Sequence, residues 1–155
     1  MYTQFCASYV DSPIGLIEVL ATSEGVFQAA YVSRKDVKRM ENDFSVLGAR
    51  QLSEYFEGAR QQFDLPIAVL GSAMQRKARY AALEIPFGHT DTYQGIADVI
   101  AKSKAVGSVE RALELNPLYI IVPCHRVLGT NGALGSYGGG PDRKKWLLAH
   151  EGIAL

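Results

Sequence analysis

The stretch Ile120–Leu128, IIVPCHRVL, sets a cysteine and a histidine side by side, straight after a proline and at the end of an apolar, β-branched run. Such a run is expected to be a buried, strand-like segment, which places Cys124 on fixed backbone rather than at a mobile tip. Three readings of Cys124 are open: a reactive nucleophile, a metal ligand, or a small packing residue. A thiol in apolar surroundings has its pKa raised and stays inert unless something removes the proton. His125 is adjacent, but neighbours on an extended chain point to opposite sides. The pair therefore needs a bridging water or a bent backbone, and a carboxylate to orient the imidazole. The alternative is a satisfied core histidine beside a packing cysteine, and these residues alone lean slightly that way.

Downstream, TNGALGSYGGG (residues 130–140) is a glycine-rich loop that lets a ligand approach the backbone closely. Pro141 then opens a last amphipathic helix carrying Trp146, Leu147 and Leu148, ending near Glu151-Gly152. Upstream, Ser72 with Gln75 has the form of a capping box and predicts a helix to about Leu83. IPFGHTD (85–91) must turn. Thr92 can cap a helix with Ile96, Ala97, Val99 and Ile100 on one side. A further helix is predicted from about Ala105 to Leu115, with Val106, Val109, Ala112 and Leu113 facing inward and Asn116-Pro117 stopping it. These two short helices make a helix-turn-helix candidate, although most helical hairpins bind nothing.

The first half reads differently. SPIGLIEVLAT (12–22) and VFQAAYVS (26–33) are β-rich runs at hairpin spacing. Leu47, Gln51, Leu52, Tyr55 and Phe56 fall at helical spacing up to Gly58, and FDLPIAVLG (63–71) is an extended linker. Two domains are expected, residues 1–70 and 71–155.

With 155 residues and 48% apolar content the chain can bury a real core. No run approaches the roughly 20 apolar residues of a membrane span, and the N-terminus lacks the pattern of a secretory signal. A cytoplasmic protein is expected, nuclear if the source is eukaryotic, and a monomer. The two cysteines, Cys6 and Cys124, are expected as free thiols, Cys6 in a buried strand. With His89 and His150 they offer no metal-ligand spacing, so neither metal nor cofactor is expected. Formal net charge is zero, but residues 72–155 carry ten bases against seven acids. The bases fall partly in clusters at Arg76, Lys77 and Arg79, at Lys102 and Lys104, and at Arg143, Lys144 and Lys145, which gives weak support to an acidic partner.

Several segments together resemble the O6-alkylguanine-DNA alkyltransferase family: IPFGHTDTYQGIA, the Asn-Pro eight residues before the cysteine, IIVPCHRV, GALGSYGGG and KKWLLAHEG. SPIGLIEVLAT and QLSEYFEGARQQFDLPI extend the likeness over nearly the whole chain. The resemblance implies an α+β chain: an N-terminal ribonuclease H-like domain with a small antiparallel sheet and helix, then an α-helical, winged-helix-like domain with a helix-turn-helix. It implies DNA repair by one-use alkyl transfer from a flipped guanine in double-stranded DNA to a cysteine thiolate. By motif position Cys124 is the alkyl acceptor, His125 its water-mediated base and Glu151 the group orienting His125. Tyr93 donates to the leaving guanine, and Asn116 braces the helix-turn-helix against the active-site segment. In the implied substrate set the backbone of Cys124 and Val127 reads the flipped base, with Tyr137, Gly138 and Lys144 in the loop over it beside Gly135 and Ser136. Thr92, Gln94, Lys104, Gly107, Ser108, Arg111 and Arg126 form the implied DNA-facing set.

Two departures stand out. The family's second helix opens with an arginine that is inserted into the DNA stack, and gapless alignment back from Asn116 puts Gly107 there. Matching KAVG instead would put Lys104 there, at the cost of three extra residues. Arg111 lies one helical turn along on roughly the same face, about 6 Å further along the helix axis. Secondly, Arg79 stands where the family usually has Trp, and Met74 where it has Phe. A core arginine is improbable, so the Arg79 position is expected to be exposed or the helix differently packed, its charge adding to DNA affinity. Two other classes compete: a non-catalytic lesion sensor, which would replace the reactive cysteine, and a Cys-His hydrolase, which would turn over.

Overall fold

The computed structural model describes residues 4–155. The chain divides into two compact units, Met1–Ala68 and Val69–Leu155.

In the first unit β1 (Cys6–Ser12), β2 (Gly15–Thr22) and β3 (Gly25–Val32) form an antiparallel sheet in that order, with a bulge between Leu20 and Ala21. Helix α1 (Asp43–Phe56) starts at Asn42, whose side chain accepts from Ser45 N while Ser45 Oγ reaches back to Asn42 N. This reciprocal cap satisfies two of the orphan donors at the helix start. Helix α1 lies against all three strands and buries Leu52 and Tyr55. Gly48 permits the close approach, because a Cβ there would come 2.9 Å from Val19 Cγ1. The expected linker is partly sheet: Val26 bonds Pro66 O and Ala68 N, both at 2.9 Å. Cys6 opens the edge strand β1 and is half-buried, not buried as expected, because an edge strand has a neighbour on one side only.

The second unit is helical. Helix α2 (Ala73–Leu83) has the Ser72–Gln75 capping box in both directions, a feature that stabilises a helix by about 1 kcal/mol. Strand β4 (Asp91–Thr92) leads into α3 (Tyr93–Val99), capped by Thr92 Oγ1 on Gly95 N. Helix α4 (Val106–Glu114) follows a turn that includes Ala101 at φ 59. Val109, Ala112 and Leu113 are buried as the periodicity predicts, but Val99 is 72% exposed because α3 ends there. Strand β5 (Val127–Leu128) pairs in parallel with β4, and α5 (Pro141–His150) closes the unit, with Glu151 as its C-cap and Gly152 in the left-handed region at φ 82.

The segment before Cys124 is buried, but it is not a strand. Ile120 has φ 72, Val122 N bonds Leu118 O at 2.9 Å, and Cys124 N bonds Val122 O at 2.8 Å. The backbone is thus a tight coil, and positive φ at a β-branched residue is costly. Asn116 holds it there. Its Oδ1 accepts from Leu118 N, and its Nδ2 donates to the carbonyls of Leu118 and Val122. One side chain therefore supplies the partners that sheet neighbours would otherwise provide.

Candidate active site

Cys124–Arg126 is a single turn of 3-10 helix, so the bent backbone that a Cys-His pair needs is present. Ile120 through Leu128 are all buried. Cys124 Sγ accepts from Asn116 Nδ2 at 3.2 Å, so Asn116 joins the end of α4 to the sulfur. Burial pushes the thiol up to about 11, against the opposing pull of the Asn116 hydrogen bond and of the Lys144 and Arg79 charges. Left alone, the sulfur keeps its proton.

His125 is fully buried, and its Nε2 lies 2.6 Å from Glu151 Oε2. Arg126 Nε and Nη2 bond the same carboxylate at 2.8 and 3.2 Å, while its Nη1 reaches Ile85 O. For Glu151, burial favours the neutral form, but hydrogen bonds and charge from His125 and Arg126 outweigh it and bring the carboxyl down to about 2. Burial, larger than the opposing pull of Glu151, lowers His125. The consistent assignment is an ionised Glu151 shared by a permanent Arg126 cation and a neutral His125 that donates from Nε2. The other nitrogen, Nδ1, is buried without a hydrogen-bond partner among the described residues, which leaves its lone pair available as a base.

Above this floor, Tyr93 donates its hydroxyl to Ser136 O at 3.0 Å, and Lys144 Nζ donates to Tyr93 Oη, Ser136 O and Val127 O at 3.2, 3.1 and 2.7 Å. Burial raises Tyr93 to about 12, so it remains an O–H donor, and burial brings Lys144 down to about 8. Lys144 lies on α5 rather than in the loop where the sequence reading put it, and it is fully buried. Gly135 and Gly138 are required by close packing: a Cβ on Gly135 would come 2.6 Å from the Tyr93 ring, and one on Gly138 would overlap the Tyr119 hydroxyl and sit 2.5 Å from Glu114 O. Tyr137 is buried and packs against Tyr119, with ring centroids 5.2 Å apart.

Three basic residues are not where the sequence placed them. Arg126, expected to face DNA, is buried on Glu151, and Lys144, expected in the loop over the base, is fully buried on α5. Arg79, expected to be exposed or to lie on a differently packed helix, is 4% exposed and bonded to carbonyls. With these inside, the basic surplus of the second half largely disappears from the surface. Thr92, Gln94, Lys104, Gly107, Ser108 and Arg111 are exposed along α3, the turn and α4. Arg111 pairs with Glu114 at 3.3 Å, and Gln94 bonds Asp98 and Ser103 O. Sequence reasoning missed Glu110, whose carboxylate on α4 accepts from Ser136 N at 3.2 Å and so ties the loop to that helix. Nothing in the spacing of Glu110 and Ser136 signals this contact.

The family model described as "6-O-methylguanine DNA methyltransferase, DNA binding domain" matches residues 73–153, and the ribonuclease-like domain model of the same family matches residues 5–69. The chain belongs to the 6-O-methylguanine DNA methyltransferase family. It is 39% identical over 150 residues to a methylated-DNA–protein-cysteine methyltransferase of Methanosarcina barkeri, covering 92% of this chain and 94% of that one. A protein of the same name from Mycolicibacterium paratuberculosis is 42% identical over 149 residues, covering 92% and 89%. Among solved structures, the Mycobacterium tuberculosis OGT in complex with DNA superposes with a TM-score of 0.84 at 34% identity, covering 95% of this chain and 91% of that one. The α+β organisation, with a three-stranded sheet and helix followed by a helical unit, is that of the family. No helix among the described residues is long and apolar enough to cross a membrane.

Proposed function

We propose that this chain repairs O6-alkylguanine in double-stranded DNA by moving the alkyl group irreversibly onto Cys124. The observation that carries the reading is the buried Cys124 turn. A sulfur held by Asn116 sits beside a histidine whose one nitrogen is fixed by Glu151 and whose other is a buried lone pair. A lone Cys-His pair in a core has no reason to be organised this way.

In this reading His125 Nδ1 takes the thiol proton through a bridging water, and Glu151 stabilises the imidazolium that forms. The thiolate attacks the alkyl carbon. The S–C bond forms as the C–O6 bond breaks, and the electron pair leaves with guanine. The Tyr93 hydroxyl donates a proton to the departing base, and the Lys144 cation stabilises the charge left on the tyrosine oxygen. The product thioether has no route back, so each molecule acts once. The helix-turn-helix of α3 and α4 would present the duplex, and the base must leave the stack because its O6 substituent is otherwise unreachable. The working compartment is then one that holds DNA, cytoplasmic or nuclear.

Mass spectrometry after incubation with a duplex containing O6-methylguanine tests this. One methyl on Cys124 per chain is expected. Binding without an adduct would point to a lesion sensor, and repeated turnover of an amide or ester to a hydrolase; either result overturns the reading.

A further inference from the structure

Arg79 is an interior charge to which the mechanism above gives no task. Its Nε and Nη2 donate to Ala112 O at 3.2 and 3.1 Å, and its Nη1 donates to Leu70 O at 2.6 Å. The acceptors are neutral carbonyls, and among the described residues no carboxylate forms an ion pair with it. Buried arginines are normally paired, so this cation is hydrogen-bonded but not cancelled. Gly71, at φ 121, makes room for it: a Cβ there would stand 2.8 Å from Nη1.

The guanidinium acts at a definite place. Asn116 N bonds Leu113 O rather than continuing the helix to Ala112 O, so the Ala112 carbonyl is one of the orphans at the end of α4. Arg79 caps it with two bonds, at the point from which the chain turns to Asn116 and, through Asn116 Nδ2, to Cys124 Sγ. Helix α2 packs against both α4 and the Cys124–Arg126 turn. The ionisable groups that act on the sulfur are Lys144 from α5, Tyr93 from α3, Tyr119 from its own loop and Arg79 from α2, and the His125–Glu151 pair adjoins it in the chain. Of the cations among them, Lys144 is brought down to about 8 by burial, whereas a guanidinium stays charged at any working pH.

We propose that Arg79 is a positioning residue for alkyl transfer, fixing the end of α4 from which Asn116 reaches the sulfur and contributing a permanent positive charge that favours Cys124 as thiolate. The proposal rests on Cys124 being the alkyl acceptor. It is specific to this chain, since the family resemblance puts an uncharged Trp at the position.

The test compares the full chain with Arg79→Gln, Arg79→Lys and Arg79→Trp. Thiolate formation is followed by ultraviolet absorbance on an alkaline titration, as the difference from the matching Cys124→Ala protein so that Cys6 and the tyrosines cancel. Single-turnover alkylation by free O6-benzylguanine and thermal melts accompany it. Arg79→Gln keeps a donor for Ala112 O but no charge, so the thiolate half-point should rise by roughly half to one unit and the rate in neutral solution should fall roughly three- to tenfold. Arg79→Lys should hold the half-point close to the parent and recover most of the rate. Arg79→Trp should show the Gln shift in a chain that melts near the parent temperature, which removes misfolding as the cause. An unmoved half-point in Gln and Trp, or a Lys variant displaced as far as Gln, overturns the proposal. A parent chain that takes up no benzyl or methyl group at all overturns instead the reading of Cys124 on which it rests.

Discussion

Around Cys124 every side chain with chemistry to perform is tied to another part of the fold. Asn116 holds the sulfur, Glu151 holds His125 and Arg126, and Lys144 holds Tyr93 and the 136–137 loop. Along the outer face of α3 and α4 the reverse holds. Lys104, Gly107 and Ser108 are exposed, α4 has no side-chain N-cap, and the charge of Arg111 is met by Glu114. The floor is held by bonds between distant parts of the chain, whereas the face is held by local pairs such as Gln94–Asp98 and Arg111–Glu114. Substitutions in the floor should therefore alter stability and chemistry together, and substitutions on the face should alter duplex engagement alone.

Glu151→Ala is the strongest challenge to this contrast. It leaves the buried Arg126 without its counter-charge, and breaking a buried pair in this way costs about 3–5 kcal/mol. Chemical denaturation should show that loss, with alkylation of free O6-benzylguanine falling in parallel. The pH dependence carries the same signature. Glu151 sits at about 2 in the fold, below the ordinary carboxylate value, so its contribution is complete above the unfolded pKa and is lost as the pH falls towards 2. Acid melts of the parent should show that loss, and Glu151→Ala should lack it. A Glu151→Ala chain as stable as its parent would mean that the floor is not interlocked.

His125→Gln separates chemistry from scaffold. The amide can still donate to Glu151, but it cannot take up the thiol proton. General-base contributions are typically about 10²–10⁴-fold, and single-turnover alkylation should fall within that range. Free-base and duplex substrates should suffer equally, because both are attacked by the same thiolate. A loss confined to the duplex would place His125 on the delivery side.

Gly138→Ala probes the seam between floor and face. An added Cβ meets Glu114 O, a backbone atom at the end of α4 that cannot swing away, as well as the Tyr119 hydroxyl. Overpacking of this kind costs about 1–3 kcal/mol. The melting temperature should fall and the loop over Cys124 should shift, slowing bulky O6 substituents more than methyl. Equal slowing of both would show that the loop does not set the size of the pocket.

What could be read from the sequence follows the same division between local and distant causes. The β2–β3 hairpin, the Asn-Pro stop after α4, and the Ser72 and Thr92 caps are decided within a few residues, so periodicity and capping place them. The coil before Cys124 is not: IIVP carries strand residues, and the Asn116 side chain, acting from outside the run, holds it bent. The interior positions of Arg79, Arg126 and Lys144 are equally invisible. Each is buried against carbonyls or a carboxylate contributed by other elements, and charge in a sequence says nothing about which carbonyls will be left unpaired nearby. Motif resemblance named Cys124, His125, Glu151, Asn116 and Tyr93, which the fold brings into one site. It also put Arg126 on the DNA side, because position in a motif does not say which way a side chain turns.

Gly107→Arg makes the smallest change and bears most directly on the exposed face. Gly107 lies in the first turn of α4, and a Cβ there would meet nothing within 4 Å. The substitution therefore adds a side chain without disturbing the floor. Replacing glycine in a helix contributes about 0.5–1 kcal/mol, a slight rise in melting temperature. If insertion of a side chain into the opened base stack is what the glycine forgoes, the arginine should speed repair of O6-methylguanine in duplex DNA by roughly tenfold, the equivalent of about 1.4 kcal/mol. Alkylation by free O6-benzylguanine should not change, since the new side chain touches nothing in the Cys124 turn. Single-turnover kinetics on the two substrates measure both predictions on the same protein. A gain on both would tie the face to the floor, and an unchanged duplex rate would mean that this chain opens the duplex without a residue at position 107.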